Sequence, residues 1–600
     1  MIINTFAFMQ ITVIFPEAIR EICMSQKHTK RVKNKLLPKI YVSRLKEIYR
    51  RIEMTSRLNQ KNKWNTALTV ILTVLLAAFI GLVFYVNLSC NPEFYDGDIY
   101  SDINYAKEAW KAKSLFPKTW SFGNQTYVVA TPVVAALIYG ITKNAITAMA
   151  IASCIMTVLT VLTYDWMMKT LCSYNERTAG FLVMASLILI KRHVATSQHG
   201  AQILFTMASY YACYIITAFL VYGCYVRIRD KNFAKKDIPI LVISVAMSLG
   251  TGMQSFRQTA IMVCPLIAVE LLLIIIDSVR NKKVTLTKST AYAAAVSVAN
   301  VCGLAAVKFI DYSQTTIYGD TSLKLVLSRI PSTAYKSVYG MLRSFWLNNV
   351  PSFVMHSISA VFIAFIFAVF ILELTDLVKS KGGKTTELAL TVLFALGCLG
   401  ILAADIFTNM NVRTVYYIMM FPLLATSVSL LLKRLKGRAK IPFYCVFVLF
   451  TAFTLTFKGV GVYREINRDK LPDNPDYRVA EYMTENGYDT LYSIFGFGRN
   501  GPESIAVISD DRIKVLYFND IASGSPFTPI KYLCVKDSYK NADNEKSLYL
   551  IKTSDLSAYK KVTDSYGVKL EKVAEFGDDI TLCKASDNLT VIADRAQNND

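Results

Sequence analysis

The sequence predicts an α-helical polytopic membrane protein of about eleven transmembrane helices, followed by a small C-terminal α/β domain outside the membrane. Three observations carry this expectation. Long apolar runs recur between residues 65 and 459 of a 600-residue chain that is 53% hydrophobic and only 18% charged, and a membrane span needs about 20 mostly apolar residues. Basic residues collect in alternate connectors between those runs. After Lys458 the apolar runs give way to short alternating segments and turn residues.

The N-terminal segment, residues 1–64, is basic. Met1 to Ile22 is apolar but broken by Pro16 and by Glu17, Arg20 and Glu21, which suits an amphipathic helix lying on the membrane. It lacks the basic leader and small-residue cleavage site of a signal peptide, and an over-extended start is the plain alternative. Residues 25–64 hold thirteen Lys and Arg against Glu47 and Glu53, which places the N-terminus in the cytoplasm. Spans are expected near 65–88, 145–168, 178–195, 203–226, 237–254, 258–277, 289–309, 352–378, 386–407, 414–432 and 441–459. If each run crosses once, the cytoplasmic connectors are 169–177, 227–236, 280–288, 379–384 and 433–440, and all five are net basic. An odd number of crossings puts the tail at the outer face of the plasma membrane.

Within the membrane domain, 65–459, the first outer loop covers 89–144. Its apolar run Tyr127 to Thr142 is short for a span and carries Pro132 near its start, so it reads as a helix along the outer interface. The extracytoplasmic domain, 460–600, alternates helix (Pro475–Asn486, Leu556–Ser565) with strand (Thr490–Gly496, Arg512–Phe518, Ser547–Ile551, Val568–Val573, Ile580–Cys583). Phe495 to Gly501 reads as a tight turn rather than a phosphate loop, and Arg595 to Asp600 as a frayed end.

Charge and composition exclude several function classes. The tail from residue 460 holds 18 Lys and Arg against 23 Asp and Glu, a balance of −5, whereas the preceding residues hold 48 against 21, or +27. The basic excess belongs to the membrane part and has no stripe of interleaved aromatics, so nucleic acid is not an expected partner. The 12 cysteines include no Cys-x-x-Cys pair and the four histidines have no ligand spacing, so no metal site is expected.

The candidate chemistry lies at the outer surface. Asp96, Asp98 and Asp102 follow the first span in an aromatic segment that runs to Trp110. Asp98 and Asp102 share a face if that segment is helical. Such a carboxylate can take a proton from an acceptor hydroxyl, and a cation can hold a departing phosphate. Asp98 can equally cap the helix that follows. Arg257 ends a glycine-bearing break between two spans, where an ionisable group marks function more often than not. Arg413 leads a span, with Tyr416 and Tyr417 as belt residues beside it. Lys191, Arg192 and His199 face the same side.

Together these segments resemble the polytopic glycosyltransferases of the GT-C fold, the group that holds protein O-mannosyltransferases and lipid A aminoarabinose transferases. The similarity lies in Asp98 through Trp110, the proline-led helix from Thr131 and Pro132, Gly250 to Arg257 with Pro265, and Arg413 to Pro422. It implies a GT-C-like fold and a first-loop base, Asp98 first, with Asp102 and Asp96 beside it. It also implies a donor phosphate held by Arg257 and Arg413; beyond the resemblance, Lys191 and Arg192 are expected to join them on the phosphate, and an acceptor cavity is expected to reach Tyr100, Tyr105, His199, Tyr416 and Tyr417. The expected activity is sugar transfer from a polyprenyl-phosphate donor to an envelope glycan, lipid or protein. Membrane lipids are the surrounding partner, no cofactor is fixed, and a divalent cation stays open. In two departures, Ile99 follows Asp98 where an acidic pair is frequent, and Gln198 and His199 stand where the second outer loop often has an acid. A flippase for lipid-linked glycans and a non-enzymatic envelope scaffold are the alternatives.

Overall fold

The structure is a computed structural model that describes residues 37–92, 95, 97–123, 125–189, 205, 211–314, 331–332, 352–379, 385–407, 417–468, 474–494, 501–577 and 579–598. The chain divides into two units, Met1–Val70 and Ile71–Asp600. The described part of the first is the opening stretch of helix α1 (Leu37–Leu88). The expectations for residues 1–36 lie outside the described residues.

The second unit continues as α2 (Gly97–Ala112), α3 (Thr131–Thr142), α4 (Ala145–Met168), α5 (Tyr174–Leu189), α6 (Ala212–Arg229), α7 (Ile238–Gln254), α8 (Cys264–Asn281) and α9 (Lys288–Ala306). Then come α10 (Ser352–Lys379), α11 (Thr385–Phe407), α12 (Met420–Arg434) and α13 (Lys440–Arg468). Seven helical stretches among the described residues are long and apolar enough to cross a bilayer: Lys63–Leu88, Ala145–Met168, Ala212–Arg229, Lys235–Gln254, Thr259–Asn281, Lys288–Phe309 and Lys440–Asn467. The chain is a multi-pass membrane protein. The other four stretches read as spans fall on α5, α10, α11 and α12. Of the run expected at 203–226 the described residues are Phe205, in a turn, and 211–226, which are helical from Ala212. There the Phe205 carbonyl accepts from the Asn87 amide at 3.0 Å and the Thr157 hydroxyl at 3.1 Å, bonds that a helix would have reserved for its own backbone.

Helix α3 has 12 residues, about 18 Å at 1.5 Å per residue, well short of the roughly 30 Å hydrocarbon core. It ends at Lys143 in the left-handed region, and Asn144 immediately caps α4 by accepting the Thr147 N–H at 2.9 Å. Elsewhere small residues set the helix spacing. A Cβ on Gly180 of α5 would lie 2.4 Å from the Ala425 carbonyl of α12, and one on Gly252 of α7 would lie 2.2 Å from the Asn300 carbonyl of α9.

The tail folds around a five-stranded sheet of order β4-β3-β6-β8-β7, formed by β3 (Thr490–Ile494), β4 (Lys514–Phe518), β6 (Ser547–Lys552), β7 (Leu570–Phe576) and β8 (Ile580–Ala585). Strands β3, β4 and β6 pair in parallel and β6, β8 and β7 antiparallel. Helices α14 (Pro475–Glu485), α15 (Glu503–Ile508), α16 (Leu556–Ser565) and α17 (Leu589–Asn598) complete it. The end read as frayed from Arg595 is thus helical to Asn598. Asn588 caps that helix by accepting from the Thr590 and Val591 N–H groups, and Leu589 and Ala593 are buried in the core. The stretch 495–500 lies outside the described residues.

A second sheet, of order β2-β1-β5, joins three distant parts of the chain: β1 (Trp120–Phe122) of the first loop, β2 (Ser313–Gln314) after α9, and β5 (Cys534–Val535) of the tail. Strand β1 pairs in parallel with β2 and antiparallel with β5. This sheet seats the tail on the loop that carries the candidate acids.

Candidate active site

Helix α2 is built to hold carboxylates against an aromatic floor. Asp98 lies in its first turn, where a negative charge favours the helix dipole, and Asp102 one turn on is buried. The Tyr127 hydroxyl hydrogen-bonds the Asp102 carboxylate; burial first, then that carboxylate, push the Tyr127 phenol well above its ordinary range, so it remains a donor. Asp98 and Tyr532 of the tail also act on Tyr127. Tyr532 overlies Gly123, where a Cβ would come within 2.4 Å of its ring. Groups of both the first loop and the tail thus act on Tyr127, with Asp102 the foremost of them.

The tyrosines of α2 have structural partners. Tyr105 is fully buried among Trp120, Phe122 and Tyr127, with the Tyr127 ring 4.7 Å away. Its hydroxyl donates to the Leu115 carbonyl at 2.9 Å. Tyr100 enters the apolar core of the tail beside Leu491, Ile505 and Val515, and its hydroxyl accepts the Val515 N–H. Burial drives its phenol upward. Two further contacts fix the tail. Lys107 pairs with Asp511 at 2.6 Å, and the Asn144 amide donates to Asp510 at 2.7 Å. Asp510 and Asp511 both take left-handed φ values, 52° and 63°, a conformation aspartate tolerates better than most residues.

On the other side of Tyr127, the segment 125–129 is bound to the end of α7. The Thr126 N–H donates to the Gln254 carbonyl at 3.1 Å, its hydroxyl donates to Met253, and the Val128 and Val129 N–H groups reach the Gln254 side-chain oxygen. Gly250 leaves room for Val129, whose Cγ1 would lie 2.8 Å from a Cβ there. The Gln254 amide donates to the Tyr214 hydroxyl at 3.1 Å, which donates to Gln125 at 3.2 Å. Arg257 sits just beyond. Its guanidinium lies 4.5 Å from the Tyr211 ring centre and 5.7 Å from that of Tyr214.

A π-helical turn, Thr259–Val263, follows Arg257 and runs into Pro265. Thr259 donates to Asn300 at 2.6 Å, Asn300 to the Ser248 carbonyl at 2.9 Å, and Gly397 and Gly400 of α11 approach the Ile261 and Ala260 carbonyls. Arg257 is therefore seated on a rigid corner rather than a mobile loop.

Of the residues singled out from sequence, the structure links Asp102 to Tyr127, with Asp98 one helical turn before it, and sets Arg257 against Tyr214, which bonds Gln125 of the same segment. Tyr417 is buried at the head of α12. Asp96, Lys191, Arg192, His199, Arg413 and Tyr416 lie outside the described residues. Sequence reasoning missed Tyr127, Gln125, Gln254, Tyr211, Tyr214 and Tyr532. A glutamine at a span's end is a readable signal, since a polar side chain there needs a partner. Tyr532 has none, being brought in by tertiary packing alone. Among the described residues no cluster of three metal-ligating side chains occurs.

No protein-family model matches the chain. No curated protein matches it either. Similar solved structures include ArnT from Cupriavidus metallidurans in the apo state, with a TM-score of 0.47 and 10% identity, covering 87% of this chain and 98% of that one. The same protein bound to undecaprenyl phosphate gives 0.47 and 10%, over 86% and 97%. The Archaeoglobus fulgidus oligosaccharyltransferase in complex with zinc and sulfate gives 0.36 and 10%, over 74% and 62%. At these scores the likeness assigns neither reaction nor substrate to this chain.

Proposed function

We propose that the chain is a GT-C-type membrane glycosyltransferase that moves a sugar from a polyprenyl-phosphate donor to an envelope acceptor at the outer face of the plasma membrane. The observation that carries this reading is the arrangement around 125–129, with Asp102 of α2 bound to it through Tyr127 and Arg257 adjoining it through Gln254 and Tyr214. Asp98, partly exposed in the first turn, accepts the acceptor hydroxyl's proton as that oxygen bonds to the anomeric carbon. The sugar–phosphate bond breaks, and the electron pair leaves on the polyprenyl phosphate. Its charge is met by Arg257, with Arg413, Lys191 and Arg192 as further cations of the same role. Asp102, held by Tyr127, keeps the local field negative and the helix entry fixed. The tail positions the acceptor from the side that carries Tyr532.

Asp98→Asn in the purified full-length protein is expected to lower transfer of labelled sugar from a polyprenyl-phosphate donor by about 10²–10⁴-fold, the usual worth of a general base. Its melting temperature should stay at the wild-type value. Undiminished transfer by a folded Asp98→Asn protein refutes the site.

A further inference from the structure

A second site lies at the opposite end of the helical bundle. A cavity of about 1130 Å³ opens among the ends of α6 and α8 and the starts of α7, α9 and α11. Arg229, Lys231 and Lys288 supply its cations, and Leu241, Val245 and Tyr292 an apolar wall. The acids that line it, Asp230 and Asp277, are already engaged: Arg229 binds Asp277 at 2.8 Å, and the Thr386 hydroxyl donates to Asp230. Behind them the buried Glu270 accepts from Tyr225, Ser289 and Thr290 and lies 3.9 Å from Arg229. The Arg229 side chain is only 10% exposed, and its buried Nε–H has no acceptor among the described residues. Lys231 and Lys288 are exposed. Arg229 is matched by Asp277 and Glu270, whereas Lys231 and Lys288 form no ion pair among the described residues, and the first turn of α9, from Lys288, adds the attraction of a helix start.

We propose that this cavity binds the phosphodiester headgroup of an anionic membrane phospholipid from the leaflet at that end of the bundle. The phosphate sits between Lys231, Lys288 and Arg229. A fatty chain lies along the wall of Leu241 and Val245 toward the exposed apolar face of α7 at Ile238 and Val242, which are 49% and 58% exposed. Soluble phosphate would require the cations alone. The apolar wall, and the strongly exposed Val284 and Leu286 in the adjoining connector, fit a lipid.

The test uses the full chain in nanodiscs of mixed phosphatidylcholine and phosphatidylglycerol, with retained lipids counted by native mass spectrometry after release. Wild type is expected to hold one phosphatidylglycerol that the double variant Lys231→Ala, Lys288→Ala binds about 25-fold more weakly, taking about a factor of five for each basic residue near an anionic surface. Both lysines are exposed, so this variant is expected to fold, and its melting temperature in lipid-free detergent checks that it does. Equal retention by the two proteins overturns the proposal. So does equal retention of phosphatidylcholine, or a thermal shift with inorganic phosphate where no phosphatidylglycerol is kept. Sugar transfer is not among the readouts, so failure here and failure of the outer site are separate results.

Discussion

The two ends of the helical bundle are held together by different chemistry. At one end, helix termini are tied by ion pairs: Arg177 with Asp165, Arg229 with Asp277, Lys433 with Glu387, Arg434 with Asp376 and Lys440 with Glu176. At the other, where α2 and the tail sit, the connections are chiefly neutral hydrogen bonds, aromatic contacts and strand pairing. Charges that neutralise one another inside the protein are spent on architecture. An end organised by neutral groups can hold charged side chains in place, which is what the proposed roles of Asp98 and Arg257 require. The contrast is one of partners among the described residues: ion pairs bind helix ends to one another at the first end, while at the second the pair of Lys107 with Asp511 joins a set of mostly neutral contacts.

Four measurements sharpen or break that contrast. The largest effect is expected at the charged end, where Arg229→Met strands Glu270 and Asp277 without their cation. Breaking a buried pair costs about 3–5 kcal/mol, to be read as a lowered unfolding midpoint in detergent; a loss below about 1 kcal/mol would mean that the ion pairs there are ornamental. At the neutral end, Tyr127→Phe removes the donor to a buried carboxylate, at about 1–3 kcal/mol. Sugar transfer should fall with it, because Asp102 then loses its anchor.

The third measurement concerns pH. In the tail, burial raises the phenols of Tyr517, Tyr539 and Tyr549 well above their ordinary value. A raised folded value means that the folded state keeps protons which the unfolded chain releases above its own value of about 10. Stability is therefore fully present below about pH 10 and declines above it, by up to about 1.4 kcal/mol per pH unit for each such group. An alkaline unfolding titration that is flat beyond that point contradicts this account. The smallest effect is expected for Lys107→Ala, which cuts the 2.6 Å pair to Asp511. A partly exposed pair is worth at most about 1 kcal/mol, measurable as slightly faster proteolysis of the tail.

Much of the architecture was legible from simple periodicity. The apolar runs located most helices because a bilayer imposes length and composition on each crossing, and the alternation after Lys458 located five strands. The start of α6 was not legible. Residues 203–211 are apolar enough to read as span, yet the Phe205 carbonyl is taken by Asn87 and Thr157, a tertiary choice invisible in a hydropathy run. Helix α17 was missed because its polar face dominates its composition, while the Asn588 cap that starts it is a local signal that could have been read. At the site, Asp98, Asp102 and Arg257 stood out by charge alone. The tyrosines and glutamine that connect them did not, since aromatic residues near a membrane surface have an ordinary belt explanation.

The small sheet β2-β1-β5 carries a consequence for biogenesis. Trp120–Phe122 finds its neighbours 193 residues later at Ser313 and 410 residues later at Lys531, so a ribosome-bound intermediate can insert every apolar helix and still lack the tail strand that completes this sheet. Long-range pairings of this kind close late, and domains made last dock last. The hairpin-free loop that bears Asp98 acquires its final shape only after the tail has emerged and reached it. A nascent chain cut short before the tail lacks β5, the Asp511 partner of Lys107 and the core that Tyr100 enters.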